Sequence, residues 1–151
     1  MDAIALLKAD HATMKKLLDE ADKTTERGVK TREELLGRIK RDLTAHEAIE
    51  EEIFYPALKE HPKAVDIVLE GYEEHHVVDL VMAELEQTPF DDETWGAKFT
   101  VMKENIEHHI EEEETDMFVK ARNILDRDEL LALGAAMEER KRESLEEQRA
   151  T

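Results

Sequence analysis

Cysteine is absent from the 151-residue chain. Its absence excludes disulfide frameworks, zinc–thiolate fingers, cysteine nucleophiles and iron–sulfur clusters. Any metal has to be held by His, Asp, Glu or Tyr. Glycine (5) and proline (3) are scarce, which disfavours a sandwich of short strands joined by many tight turns. Basic residues are few beside acidic ones, 21 against 39, for a net charge of -18. A chain so short of cations is a poor partner for nucleic acid or for an anionic membrane surface. Long apolar runs are missing too. None could span a bilayer, and the first residues carry no signal-peptide pattern, so no membrane and a cytoplasmic location are expected. What the chain has in abundance is charge, 40% of its residues. This suits helices with solvated outer faces, and the negative field also attracts cations.

The apolar residues recur at helical spacing. Ile4, Leu7, Met14 and Leu18 predict a first helix over residues 2–23. Thr31 and Glu34 have capping-box spacing and predict the start of a second, which carries Leu35, Ile39, Leu43, Ile53 and Ala57 to about residue 59. Pro62 marks a turn. A third helix is expected over 64–87 and a fourth over 95–125. Asp126 and Glu129 repeat the capping-box spacing and open a C-terminal helix. Four long helices with short connections predict an all-α, up-down-up-down four-helix bundle over residues 1–125. Residues 126–151 form an appended helix covering part of it.

Helical wheels then separate inner from outer polar residues. About Ile39, His46 lies at about -20° and Glu50 at about +20° on the second helix. About Ile106, His109 lies at about -60° and Glu113 at about -20°, with His108 pointing roughly 160° away and Glu112 and Glu114 off the stripe. On the third helix Tyr72, His75 and Asp79 fall within about 40° of Val68, and His76 lies at about 80°. His11 joins the first stripe. Each helix therefore aims one histidine at the bundle axis, and two add a glutamate one turn later.

A lone core histidine is ordinarily just a satisfied core residue, and runs such as Glu50–Glu52 or Glu111–Glu114 are ordinarily solvated faces. Buried ionised carboxylates are costly unless paired or coordinated. No Lys or Arg shares the inner stripes at the level of His46 or His109. One or two dications would remove that cost. Imidazole with carboxylate suits iron, manganese or zinc, and six ligands exceed one tetrahedral zinc site. A ferritin-like site would need Glu-x-x-His on two helices. Only Glu73 and His76 match, and both lie off the stripe.

His11, His46-x-x-x-Glu50, His75 and His109-x-x-x-Glu113 together resemble the hemerythrin-like, HHE cation-binding family. The flanking segments LLKADH, HEAIEEEIFYPAL, GYEEHH and HHIEEEE are similar as well. The resemblance covers residues 1–125. It implies two iron ions bridged by Glu50, Glu113 and an oxo or hydroxo group, with His11, His46, His75 and His109 as terminal ligands. Asp79 stands where the oxygen carriers of that family have a second histidine. Glu47 resembles an additional carboxylate ligand of its iron-sensing branch. The resemblance implies chemistry with dioxygen, hydrogen peroxide or nitric oxide, with a redox partner of unstated kind. Peroxide or oxygen handling, catalase-like in form, is favoured over transport, and Tyr72 is the expected acid–base group beside the metal. Two other readings stay open: an iron- or oxygen-sensing module without turnover, and a metal-free structural bundle.

Overall fold

The structure, a computed structural model, describes residues 1–150, so the last residue of the expected appended helix lies outside the described residues. The chain is all-helical. Helix α1 (Ala3–Asp22) starts at Asp2, whose carboxylate accepts the Ala5 amide at 2.8 Å. Helix α2 (Val29–Ile49) continues through a π-helical turn, π1 (Glu50–Phe54), into α3 (Tyr55–Lys59). A short 3-10 turn at Pro62–Ala64 leads to α4 (Val65–Glu86). Helix α5 (Trp95–Glu112) likewise runs through π2 (Glu113–Met117) into α6 (Phe118–Ile124). The last helix, α7 (Arg127–Arg149), opens with the expected capping box of Asp126 and Glu129. No helix among the described residues is long and apolar enough to cross a membrane.

The second helix departs from the sequence expectation at its start. It begins at Val29 on an uncapped Gly28, not at a Thr31 cap. Buried Arg32 supplies the local tie instead, donating to the Thr24 hydroxyl and to the Phe90 carbonyl across the loops.

Cross-helix pairs give the bundle its antiparallel register. Asp10 meets His46 between α1 and α2, and Lys40 meets Glu86 between α2 and α4. Lys98 meets Glu84 between α4 and α5, and Lys103 reaches back to Asp22 on α1. Two apolar layers fill the interior. One holds Ile4, Leu7, Phe54, Tyr55 and Phe118, and the other Met14, Leu18, Ile39, Trp95 and Phe99. The inward histidines fall between them. Helix α7 lies across α1 and α2. It comes close because position 134 is glycine: a Cβ there would stand 2.3 Å from the Met1 carbonyl oxygen.

Candidate metal centre

Glu50 and Glu113 each open a π-helical turn, and both are buried, at 0% and 1% exposure. In each turn the backbone bond skips a residue: Tyr55 N–H donates to the Glu50 carbonyl, and Phe118 N–H to that of Glu113. Such one-turn bulges recur at functional sites because they re-aim side chains without breaking the helix. Here they place two carboxylates opposite each other on the bundle axis.

Four buried histidines surround them. His11 Nε2 lies 3.0 Å from Glu113 Oε1, and His46 Nε2 3.2 Å from Glu50 Oε1. His75 Nε2 lies 3.0 Å from Glu50 Oε1, and His109 Nε2 3.3 Å from Glu113 Oε2. The ligand atoms form two groups. His11, His46, Glu50 and Glu113 make one, and Glu50, His75 and His109 the other, each within 4.8 Å. Glu50 belongs to both.

Every imidazole turns its Nδ1 outward onto a carboxylate of the neighbouring helix. His46 meets Asp10 at 2.9 Å, His75 meets Glu51 at 2.7 Å, His109 meets Glu74 at 2.7 Å and His11 meets Glu114 at 2.7 Å. The four ties run once around the bundle. Metal-binding histidines are commonly held by such carboxylates, which fix the ring and point the free Nε2 at the ion. His11 Nε2, His46 Nε2, Glu50 Oε2 and Glu113 Oε1 are buried and make no hydrogen bond of good geometry, although His11 Nε2 and Glu113 Oε1 stand 3.0 Å apart. Buried polar atoms are rarely left so. An ion at this point would satisfy all four, so the residues present fit a metal.

Without metal the cluster holds protons. Burial works against the charged His46 ring, yet the Glu50 charge and the Asp10 bond raise it to about 10. His75 rises to about 9 against the same burial, through its bonds to Glu50 and Glu51. Glu50 is held well below the usual carboxylate range, because His46 and its other bonded neighbours outweigh burial.

The remaining expected residues sit further out. Glu47 is half-buried and groups with Glu51 and His75. Burial first, and then the adjoining Asp79, push its carboxyl up to about 8. Asp79 itself is exposed and joins no potential ligand group among the described residues, although its wheel position suggested otherwise. Tyr72 donates to the Glu51 carbonyl at 3.2 Å, one step beyond the carboxylate that holds His75. His108 and His76 are exposed.

Sequence reasoning passed over Tyr55. Its fully buried hydroxyl donates to Glu113 Oε2 at 2.6 Å. It also lies 3.4 Å from Glu50 Oε1 and from the Nε2 atoms of His75 and His109. Burial, with the Glu50 and Glu113 charges, raises the phenol well above its ordinary value. Gly71 makes room for it, since a Cβ there would stand 2.8 Å from the Tyr55 oxygen. A cavity of about 170 Å³ opens on the other side of the histidines. All four rings line it, and its walls include Met14, Val78, Ile106 and Ile110.

Comparison with known proteins agrees with this arrangement. The chain is similar to a hemerythrin HHE cation binding domain-containing protein from Mycobacterium kansasii, with 25% identity over 97% of this chain and 89% of that one, and a TM-score of 0.86. No curated protein matches the chain. The family profile described as the hemerythrin HHE cation binding domain matches residues 2–121, the stretch that supplies all four histidines and both central glutamates, and the chain belongs to that family.

Proposed function

We propose that the protein holds two iron ions bridged by Glu50 and Glu113, and that the centre reacts with hydrogen peroxide or dioxygen instead of carrying dioxygen reversibly. The observation that best supports this is the sharing of Glu50 between the two histidine groups, the pattern expected of paired metals. Six N and O ligands of this type suit iron and exceed a single tetrahedral site. When bound, the iron pair would supply redox and Lewis-acid chemistry.

The chain's own residues supply the rest. The four outer carboxylates orient the imidazoles. The apolar cavity walls keep bulk water away from the rings. Glu47 lines the same cavity, beside His75 and Glu51. Tyr55 keeps its proton and gives a hydrogen bond to Glu113. We assign Glu47, which lines the cavity, as an acid–base group beside the metals, with Tyr72 further out on the Glu51 carbonyl. Asp79 stands where the carriers have an imidazole but is exposed and outside both ligand groups, so the donor set has one imidazole fewer and its place is open to an oxygen ligand. A harder, more anionic set favours the ferric state, which argues against carriage.

Protein expressed with ample iron tests this directly. Elemental analysis should give about two irons per chain, as the ligand count requires. Peroxide turnover should be present and should vanish in His46→Ala. One zinc per chain with no visible absorption would overturn the di-iron assignment. A long-lived reversible dioxygen complex would overturn the reactivity. Iron binding without turnover would favour the sensing reading, with α7 as the readout, because α7 touches Asp10, the partner of His46.

A further inference from the structure

Helix α7 lies wholly beyond the matched residues 2–121, yet it reaches the metal cavity. The cavity has the four histidines at its inner end. At its outer end it meets Asp10, Asp42, Lys141 and Leu145, the last two from α7. Lys141 Nζ lies 2.5 Å from Asp10 Oδ1, and the other oxygen of that carboxylate lies 2.9 Å from His46 Nδ1. One side chain of α7 is thus two contacts from an imidazole of the metal centre. The helix is fixed in this position at points along its length. Gly134 packs on the backbone of Met1 to Ala3, and Arg140 pairs with Glu52 at 3.2 Å.

We propose that α7 controls access to the centre. Leu145 closes the outer end of the cavity, and Lys141 is a positioning residue that holds Asp10 against His46. The proposal rests on the metal-centre reading above. A space of about 170 Å³ is close to the roughly 150 Å³ of a cavity that binds benzene, so it admits water or peroxide and nothing much larger than a small ring. With Leu145 in place, larger molecules are turned away before they reach the imidazoles. The charge on Lys141 balances Asp10, so that this carboxylate stays directed at the ring and not at solvent.

Two measurements on the full chain test the proposal. The first uses metal-free protein and so does not depend on which metal binds. Diethyl pyrocarbonate, a histidine reagent larger than peroxide, attacks only the neutral ring, so each site is read by mass spectrometry across a range of pH and its rate is corrected to the neutral imidazole. Leu145→Ala should raise the modification rate of His46 and His11 by at least ~5-fold through local opening, and Leu145→Trp should lower it. Exposed His76 and His108 report the reagent alone, and Leu131→Ala, on an exposed part of α7, should change nothing. Unchanged rates at His46 and His11 in Leu145→Ala would overturn the access role. A rise at all histidines together with faster global hydrogen exchange, and no slowing in Leu145→Trp, would overturn it equally. The second measurement is ferrous iron affinity in competition with a chelator. Lys141→Met should weaken it about 3- to 10-fold, less than direct loss of an outer partner, and Lys141→Arg should restore it. Equal affinities in Lys141→Met and the parent would overturn the positioning role. Failure of the parent itself to bind iron would refute the metal reading, while the reagent experiment would still decide access.

Discussion

At the scale of single residues, adjacent histidines have opposite fates. His109 is buried against Glu113, while His108 is exposed and pairs with Glu112 on its own helix. His109→Ala should lose metal and His108→Ala should retain it, as elemental analysis of the two purified variants will tell. The same contrast is expected of His75 and His76. Gly71→Ala makes a different demand. Its methyl would press on the Tyr55 hydroxyl at 2.8 Å and on Cζ at 2.9 Å. Overpacking of this kind costs about 1–3 kcal/mol, readable as a lower midpoint of thermal or urea unfolding. Adding Tyr55→Phe should recover only part of the loss, because the Cζ contact remains. The inward histidines and glutamates were legible in the sequence because each lies on the apolar stripe of its own helix. The outer carboxylates were not. Asp10, Glu51, Glu74 and Glu114 each adjoin a ligand in sequence but serve a histidine on another helix. A wheel drawn about one helix cannot see that, so Glu51 and Glu114 read as solvated face. Asp79 is the converse: near the stripe centre by angle, yet exposed at the edge of the helix pair.

At the scale of elements, the two π-helical turns explain what the regular wheel misses. Counted from Ile39 at 3.6 residues per turn, Tyr55 points about 160° from the stripe; one inserted residue brings it to about 60°. Phe118, counted from Ile106, moves in the same way from about 120° to about 20°. Both side chains are buried in the structure, and Phe118 stacks on the His11 ring at 5.7 Å. Nothing in local composition marks an inserted residue, so the helices and their order could be read from sequence but this phase change could not. Deleting one residue of π1 should reverse it. Removal of the exposed Glu52 should restore a regular helix, rotate Tyr55 and Phe54 by about 100°, and abolish metal binding. Glu52→Ala, which loses only the Arg140 pair, should keep metal and nearly all of its stability. Metal content and unfolding midpoint of the two variants separate these outcomes. If the deletion still loads metal to the level of the parent, the π turn has no part in building the site.

At the scale of the whole molecule, metal and protons compete for the same core. Without metal, His46 and His75 have pKa values of about 10 and about 9, against 6.5 for the free side chain. A raised value means stability fully present below pH 6.5 and lost as pH climbs through 9 to 10. Glu47, raised from 4.5 to about 8, adds a loss of the same sign between those values. The unfolding midpoint of chelator-stripped protein should therefore fall steadily from neutral to alkaline pH. Metal displaces these protons, so affinity should rise over the same range, and calorimetry in buffers of different ionisation enthalpy should register proton release. A midpoint that rises from pH 7 to pH 9 in the stripped protein would contradict this account. The ring of carboxylate–imidazole ties also bears on the order in which the chain assembles. Three of the ties join residues 36, 24 and 35 positions apart, but the fourth, from His11 to Glu114, spans 103. Closing a longer loop costs more chain entropy, so neighbouring helix pairs associate first and, of these four seams, that between α1 and π2 closes last. An interaction made after the folding barrier slows unfolding without hastening folding. In a chevron plot, Glu114→Gln should raise the unfolding arm and leave the folding arm in place, whereas Glu74→Gln, within an early pair, should lower the folding arm.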